Sequence, residues 1–381
     1  MQRFMRFCIG CIVIILAACQ ASRQDVGDRS IEGSSEIPVS SEESAESSWA
    51  ISPISKSLKL HSNTSAMTPP VLYFDYASDF SEGVAIVRRQ DQFHLIDTSG
   101  TIVLDVDPAL DGVSPFSNHM SLVKVRDFYG YMNREGEIIV PPQYPSATPF
   151  AEGLAAVRTG TKYGYINPTG DLVIEPQFDL AASFSSGKAS ARLDEKYGYI
   201  NADGTWAIAP QYEDNGKFSE QLAAVRLNQK WGYVNDAGDE IIARTLDGAF
   251  PFAEGRARVR IGSDWGFINP VGDLIIEPTF AFASDFSEGL AAVMVGTKWG
   301  YINTDGEMAI APQFDYAAEF SEGFAAVQVD GQYGFIRSSG EWMVQPEYSN
   351  VGRFSEGFAW VQVDNQRSYV GIDGALIQQS P

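Results

Sequence analysis

Cysteine is nearly absent from this chain. Its 381 residues hold three. Cys8 and Cys11 lie in an apolar leader, and Cys19 follows directly after it. Once the leader is removed a single thiol remains, so a disulfide framework is excluded. Histidine is equally scarce. His61, His94 and His119 occupy unrelated positions, their spacing fits no metal motif, and no metal is expected. No Ser-His-Asp order and no phosphate loop stands out, so no catalytic residue and no cofactor is expected. Positive charge is also short: 27 Lys and Arg against 49 Asp and Glu give −22. Such a chain repels nucleic acid and anionic lipid, and no nucleic-acid partner is expected. Long apolar runs are missing too. The leader's apolar stretch, Phe7 to Leu16, is shorter than the roughly 20 residues of a membrane span.

What is present is repetition. Phe80, Phe116, Phe150, Phe184, Phe218, Phe252, Phe286, Phe320 and Phe354 head nine copies of one unit; the first step is 36 residues and each later step is 34. A period of this size marks a repeat architecture. The copy from Phe286 holds Gly289, Gly296, Gly300, Gly306 and Pro312. Each such glycine costs a helix about 1 kcal/mol and a proline about 3 kcal/mol, so the unit is all-β. Three strands are expected: Leu290 to Val295, Lys298 to Asn303, and Glu307 to Ala311, the last ended by Pro312. Val71 to Tyr76 matches the end of a unit, and the ninth copy stops before that segment recurs. That offset suits a closed, propeller-like ring. Thirty-four residues are few for a four-stranded blade of about 40, however, and nine blades are many. The expectation favours an open, elongated β-solenoid with degenerate copies as caps.

The residues Lys230-Trp231-Gly232-Tyr233 and Lys298-Trp299-Gly300-Tyr301, the turn glycines, the Pro-Gln-Phe step and the Phe-Ser-Glu-Gly segment resemble the bacterial WG repeat family, also called KWG repeats. The likeness covers about residues 71–381. Tyr129, Tyr163, Tyr197 and Tyr333 replace the tryptophan, the first copy has Phe93-His94, and the last has Ser368 in place of glycine. The resemblance implies an envelope or surface protein with a binding role, and it implies no reaction.

Residues 1–18 read as a signal peptide, with Arg3 and Arg6 before the apolar stretch. Leu16-Ala17-Ala18-Cys19 resembles the lipobox of bacterial lipoproteins, which implies lipidation at Cys19 and a membrane anchor. In a two-membrane bacterium the resemblance implies the outer membrane. Residues 19–70 are rich in Ser and Glu and too poor in apolar residues to offset ordering entropy, so they form a tether. Residues 71–381 are the repeats.

Polar residues recur rather than stand alone. Glu82, Glu152, Glu220, Glu254, Glu288, Glu322 and Glu356 share one place; a residue needed so often is structural, accepting hydrogen bonds from turn amides beside the following glycine. Asn133, Asn167, Asn201, Asn235, Asn269 and Asn303 precede turns and cap them. The aromatic ladder of Tyr129, Tyr163, Tyr197, Trp231, Trp265, Trp299 and Tyr333 is read as inter-repeat stacking, with ligand binding as the second role if the rings are partly exposed. The function expected is a lipid-anchored binding or scaffolding module for an envelope protein or a cell-wall glycan. A glycan-active enzyme on a propeller and a spacer without ligand are the alternatives.

Overall fold

A computed structural model describes residues 70–378. Cys19, the signal peptide and almost all of the tether fall outside the described residues. Each unit folds as a small antiparallel sheet. In the seventh it comprises Phe282–Ala283, Leu290–Val295, Lys298–Asn303 and Met308–Phe314, hydrogen-bonded in that order. The turn before the second of these is a tight hairpin. Glu288 (φ 55°) and Gly289 (φ 77°) are both left-handed, and Ser287 and Leu290 exchange backbone bonds of 2.9 and 3.2 Å, the geometry of a type I′ turn. The turn after Asn303 closes on its side chain: Asn303 Oδ1 accepts from the amides of Asp305 and Glu307 at 3.0 and 2.9 Å.

Nine such sheets, seven of four strands and two of three, form a closed ring, a nine-bladed β-propeller. The open solenoid is therefore corrected to the ring. Closure runs through both ends of the repeat region. Phe74 and Arg367 exchange backbone bonds of 2.8 and 2.7 Å, and the Leu72 amide donates to Ile377 O at 3.1 Å. The outer strand of the ninth blade is thus assembled from residues near 377 and residues 71–74. Leu72, Phe74, Phe80, Tyr369 and Ile377 are all buried there. The length argument failed because the added strand, Phe282–Ala283 in the seventh unit, is only two residues long, so four strands fit into 34.

Pro312 does not end its strand, as the sequence suggested, but lies within Met308–Phe314. Pairing skips from Tyr301↔Ile310 to Trp299↔Phe314, so a bulge sits at the proline. The strand is the outer edge of its sheet, where a missing N–H costs no ladder bond and blunts edge-to-edge association. Gly300 lies beneath that bulge. A Cβ there would stand 2.5 Å from Ile310 O and 2.8 Å from Pro312 N. The glycine of the repeated Trp-Gly pair is thus set by close backbone approach.

Blades are joined mainly along the edge of the short strand. The buried ring two residues after each ladder position packs on the anchor phenylalanine of the next blade, as in Tyr301–Phe320 at 4.9 Å and, across the closure, Tyr369–Phe80 at 4.9 Å. Tyr301 Oη donates to Ala318 O at 2.7 Å, and burial pushes its phenol well above the usual tyrosine range. Ser287 Oγ donates to Phe320 O at 2.8 Å. The repeated glutamates do bind turn amides, but those of the following blade rather than their own. Glu288 accepts from Gly323 N at 2.8 Å, and Glu356 accepts from Gly83 N at 2.8 Å, which completes the circle. These contacts crowd the short-strand edges together, so that edge is nearest the ring axis.

Candidate functional site

One face of the ring carries the hairpin tips, such as Gly296-Thr297, and just below each tip lies a cross-strand row. In the fifth blade the row is Asp214, Arg226 and Trp231, side by side in the ladder. Strand alternation puts all three on one side of the sheet. The same place on the second strand holds Arg88, Lys124, Arg158, Arg192, Arg226 and Arg260 in the first six blades. Five of these cations cover the ladder ring beside them. Arg88 over Phe93, Lys124 over Tyr129, Arg192 over Tyr197, Arg226 over Trp231 and Arg260 over Trp265 stand 5.6–6.0 Å from the ring centroid, within cation–π range.

An acidic residue secures the tip above several rows. Asp315 Oδ2 accepts from Asp330 N at 2.8 Å, while Lys298 Nζ reaches Oδ1 at 2.5 Å. Lys162–Asp179 and Lys230–Asp247 repeat that ion pair. The lysine beside Asp315 holds its carboxyl below the usual range. The lysine of the repeated Lys-Trp-Gly motif therefore ties strand to tip.

All seven ladder residues, Tyr129, Tyr163, Tyr197, Trp231, Trp265, Trp299 and Tyr333, are half-buried. The fully buried rings are the ones two positions on, Tyr131, Tyr165, Tyr199, Tyr233, Phe267, Tyr301 and Phe335. Stacking on the next blade's anchor phenylalanine belongs to these, which sequence reasoning passed over, while Trp299 of the ladder meets Tyr316 of the next blade at 6.1 Å. Their signal was present in the invariant two-residue spacing. With its ring partly in solvent, Trp299→Ala should cost about 1–2 kcal/mol in urea unfolding, less than the roughly 3–5 kcal/mol of a full core position. A loss of about 4 kcal/mol would place the ring in the core.

Some residues break the repeat and gather near the ring axis. Arg258 stands where Ala224 and Ala292 stand in neighbouring blades. Its Nε donates to Asp285 Oδ1 at 2.7 Å, its Nη1 to Ala283 O at 2.8 Å, and the guanidinium lies 3.8 Å from the Phe250 centroid. Asp285, Glu319, Arg353 and Asp79 occupy the place just before the anchor phenylalanine in four consecutive blades around the closure. Burial, and then the charge of Asp285, push the Glu319 carboxyl up; burial does the same for Asp79, opposed by Arg353. Arg353 Nε is 3.8 Å from Asp79 Oδ2. The histidines are not brought together: His94 contacts Asp105 at 2.7 Å and His119 contacts Glu82 at 3.2 Å. Among the described residues no three His, Cys, Asp or Glu side chains gather as a metal site.

One solved structure shares the fold, and others match at lower TM-scores. A eukaryotic initiation factor matches with a TM-score of 0.54 at 11% identity, over 73% of this chain and 91% of that one. The extracellular domain of the putative one component system BT4673 from B. thetaiotaomicron matches at 0.33 and 10% identity, over 81% of this chain and 54% of that one. PorZ, a surface component of the type-IX secretion system of Porphyromonas gingivalis, matches at 0.32 and 8%, over 82% and 53%. This chain thus spans about half the length of the last two. No curated protein matches it. The model of the WG containing repeat matches residues 72–92, 129–163, 163–197, 197–231, 231–263, 265–299, 299–333 and 333–366. Those segments run from one ladder aromatic to the next over most of the ring, and the chain belongs to the WG-repeat family.

Proposed function

We propose that this chain is an exported, lipid-anchored binding or scaffolding module of the cell envelope. Cys19 carries the lipid, and residues 20–70 tether the ring to the membrane, the outer one where there are two. Its partner is an envelope protein or a cell-wall polymer, and it performs no reaction on that partner. The observation that carries the reading is the recurrence of one half-exposed aromatic row at equivalent places on one face of a rigid ring. An extended partner touching several rows gains from effective concentration. A single reacting centre would draw nothing from such repetition. The offset between the acidic chain, −22, and anionic lipid headgroups leaves membrane attachment to the acyl chains.

The test has two arms. Cys19→Ser should move the protein from the membrane fraction to the soluble fraction in cells. The purified full-length protein should be retained by isolated cell wall or by an envelope protein, and should leave that partner chemically intact. Membrane association unchanged by Cys19→Ser would remove the anchor from this reading. Release of sugar or peptide fragments, abolished by a single carboxylate substitution such as Glu319→Gln without loss of stability, would replace the binding module with a hydrolase.

A further inference from the structure

The cation that covers the ladder ring is absent from the last three blades. Met294, Gln328 and Gln362 stand where the first six carry Arg or Lys. In the seventh and eighth blades a second change accompanies the first. The short strand offers Gly112, Leu180, Asp214, Gly248 or Asn350 at this place in other blades, and Tyr76 beside Arg88 in the first; here it offers Phe282 and Tyr316. Phe282 pairs with Met294 and Tyr316 with Gln328, so each new ring joins the row that has lost its cation. The outcome is an unbroken strip of four rings. Phe282 stacks against Trp299 at 6.4 Å and 28°, Trp299 meets Tyr316 at 6.1 Å across the blade boundary, and Tyr316 meets Tyr333 at 6.2 Å. Phe282 is 55% exposed and Tyr316 44%; rings serving only the core would not be so open.

Polar groups flank the strip. The Gln328 amide lies within it. Asp285 and Glu319 follow Phe282 and Tyr316 on the same short segments, and the Tyr316 hydroxyl feels the charge of Glu319. Lys298 is already paired with Asp315. Arg258 likewise holds Asp285, so Glu319 is the charge left over and the local field is weakly negative, which disfavours an anionic ligand. Flat apolar faces bordered by carboxylate and amide acceptors suit a molecule with C–H faces and hydroxyl edges.

Resting on the binding-module reading above, we propose that the strip Phe282, Trp299, Tyr316 and Tyr333 is a binding site for an uncharged carbohydrate chain running across the seventh and eighth blades. The rings stack on sugar faces, and Gln328, Asp285 and Glu319 take hydroxyl hydrogen bonds. In five other rows a cation covers the ladder ring, so the ring face there is less open to a sugar.

The test is calorimetric titration of the full-length protein with tetra-N-acetylated chitotetraose, a neutral tetramer (chitotetraose below), and with tetragalacturonic acid, an anionic one. The neutral tetramer should bind, and the acid should bind at least about tenfold more weakly, as like charge dictates. The double substitution Phe282→Ala and Tyr316→Ala should weaken chitotetraose binding by about tenfold or more, the scale of two lost stacking contacts. Met294→Arg restores the residue that five other blades tolerate; it should cover Trp299 and weaken binding similarly with the unfolding midpoint unchanged. Val271→Ala, at an exposed turn outside any row, should leave binding unaltered. No binding of chitotetraose, equal loss in Val271→Ala, or full binding in Met294→Arg would each overturn the proposal. If an envelope protein is retained instead and is lost in the same strip variants, the glycan is wrong and the binding module stands. If neither glycan, cell wall nor envelope protein is retained, both readings fail.

Discussion

Deleting residues 70–77 should cost the ring at least about 5 kcal/mol, the summed lower range for losing a buried phenylalanine and a buried leucine. Phe74 is 2% exposed and Leu72 6%, and the deletion also removes the paired backbone bonds between Phe74 and Arg367. The damage extends beyond burial. Without this segment the ninth blade loses one of the two pieces of its outer strand, and the Tyr369 hydroxyl keeps only a misplaced partner, since its acceptor, Ser78 O, follows the cut directly. The bared sheet edge should then pair with other copies. Urea unfolding should show the loss, and size-exclusion chromatography should show concentration-dependent association. Phe74→Ala alone should cost about 3–5 kcal/mol. A deletion variant that unfolds at the parent midpoint and stays monomeric would mean that the ring is held by its internal blade contacts and not by this closure.

Gly300→Ala should be nearly as damaging for a different reason. The added carbon would meet Ile310 O at 2.5 Å, Pro312 N at 2.8 Å and Ala311 C at 3.0 Å, all of them backbone. No side chain can rotate away, so the bulge must move or the sheet must open. The cost should reach about 3 kcal/mol, the upper end for overpacking. Gly296→Ala is the control. Nothing lies within 4 Å of its Cβ, though its φ is 64°, so only backbone strain of about 1 kcal/mol applies. Equal losses for the two variants, by chemical unfolding, would show that conformation and not close approach demands the glycine. The chain supplies its own comparison. His94 takes the glycine's place in the first blade, where the outer strand is the short Ile102–Asp105 and has no proline. Ser368 takes it in the ninth, where the outer strand is in two pieces. Where the bulge is missing, glycine is not required.

Much of this protein was legible in its sequence. The period gave the number of blades, because each phenylalanine anchors one interface and recurs with it. Leu290–Val295 and Lys298–Asn303 have the limits that their flanking turns dictate. The asparagine caps were readable too, since a side chain and the amides it caps lie within one turn. The offset between the first segment and the last unit already contained the closure.

The ring itself was decided by tertiary structure. Solenoid and propeller share the same local sequence in every unit and differ in the rotation between neighbours. That rotation comes from contacts between units: ring on ring at 4.9 Å for Tyr301–Phe320, and a glutamate reaching the next turn's amide. No pattern inside one repeat reports it. The two-residue strand was too short to show a period, and proline at a sheet edge obeys a different rule from proline in a sheet interior. The binding strip was hidden for a similar reason. Met294 and Gln328 look like ordinary variation until the ladder sets them beside Trp299 and Tyr333. Only cross-strand pairing, a relation between distant positions, turns a missing cation into an uncovered ring.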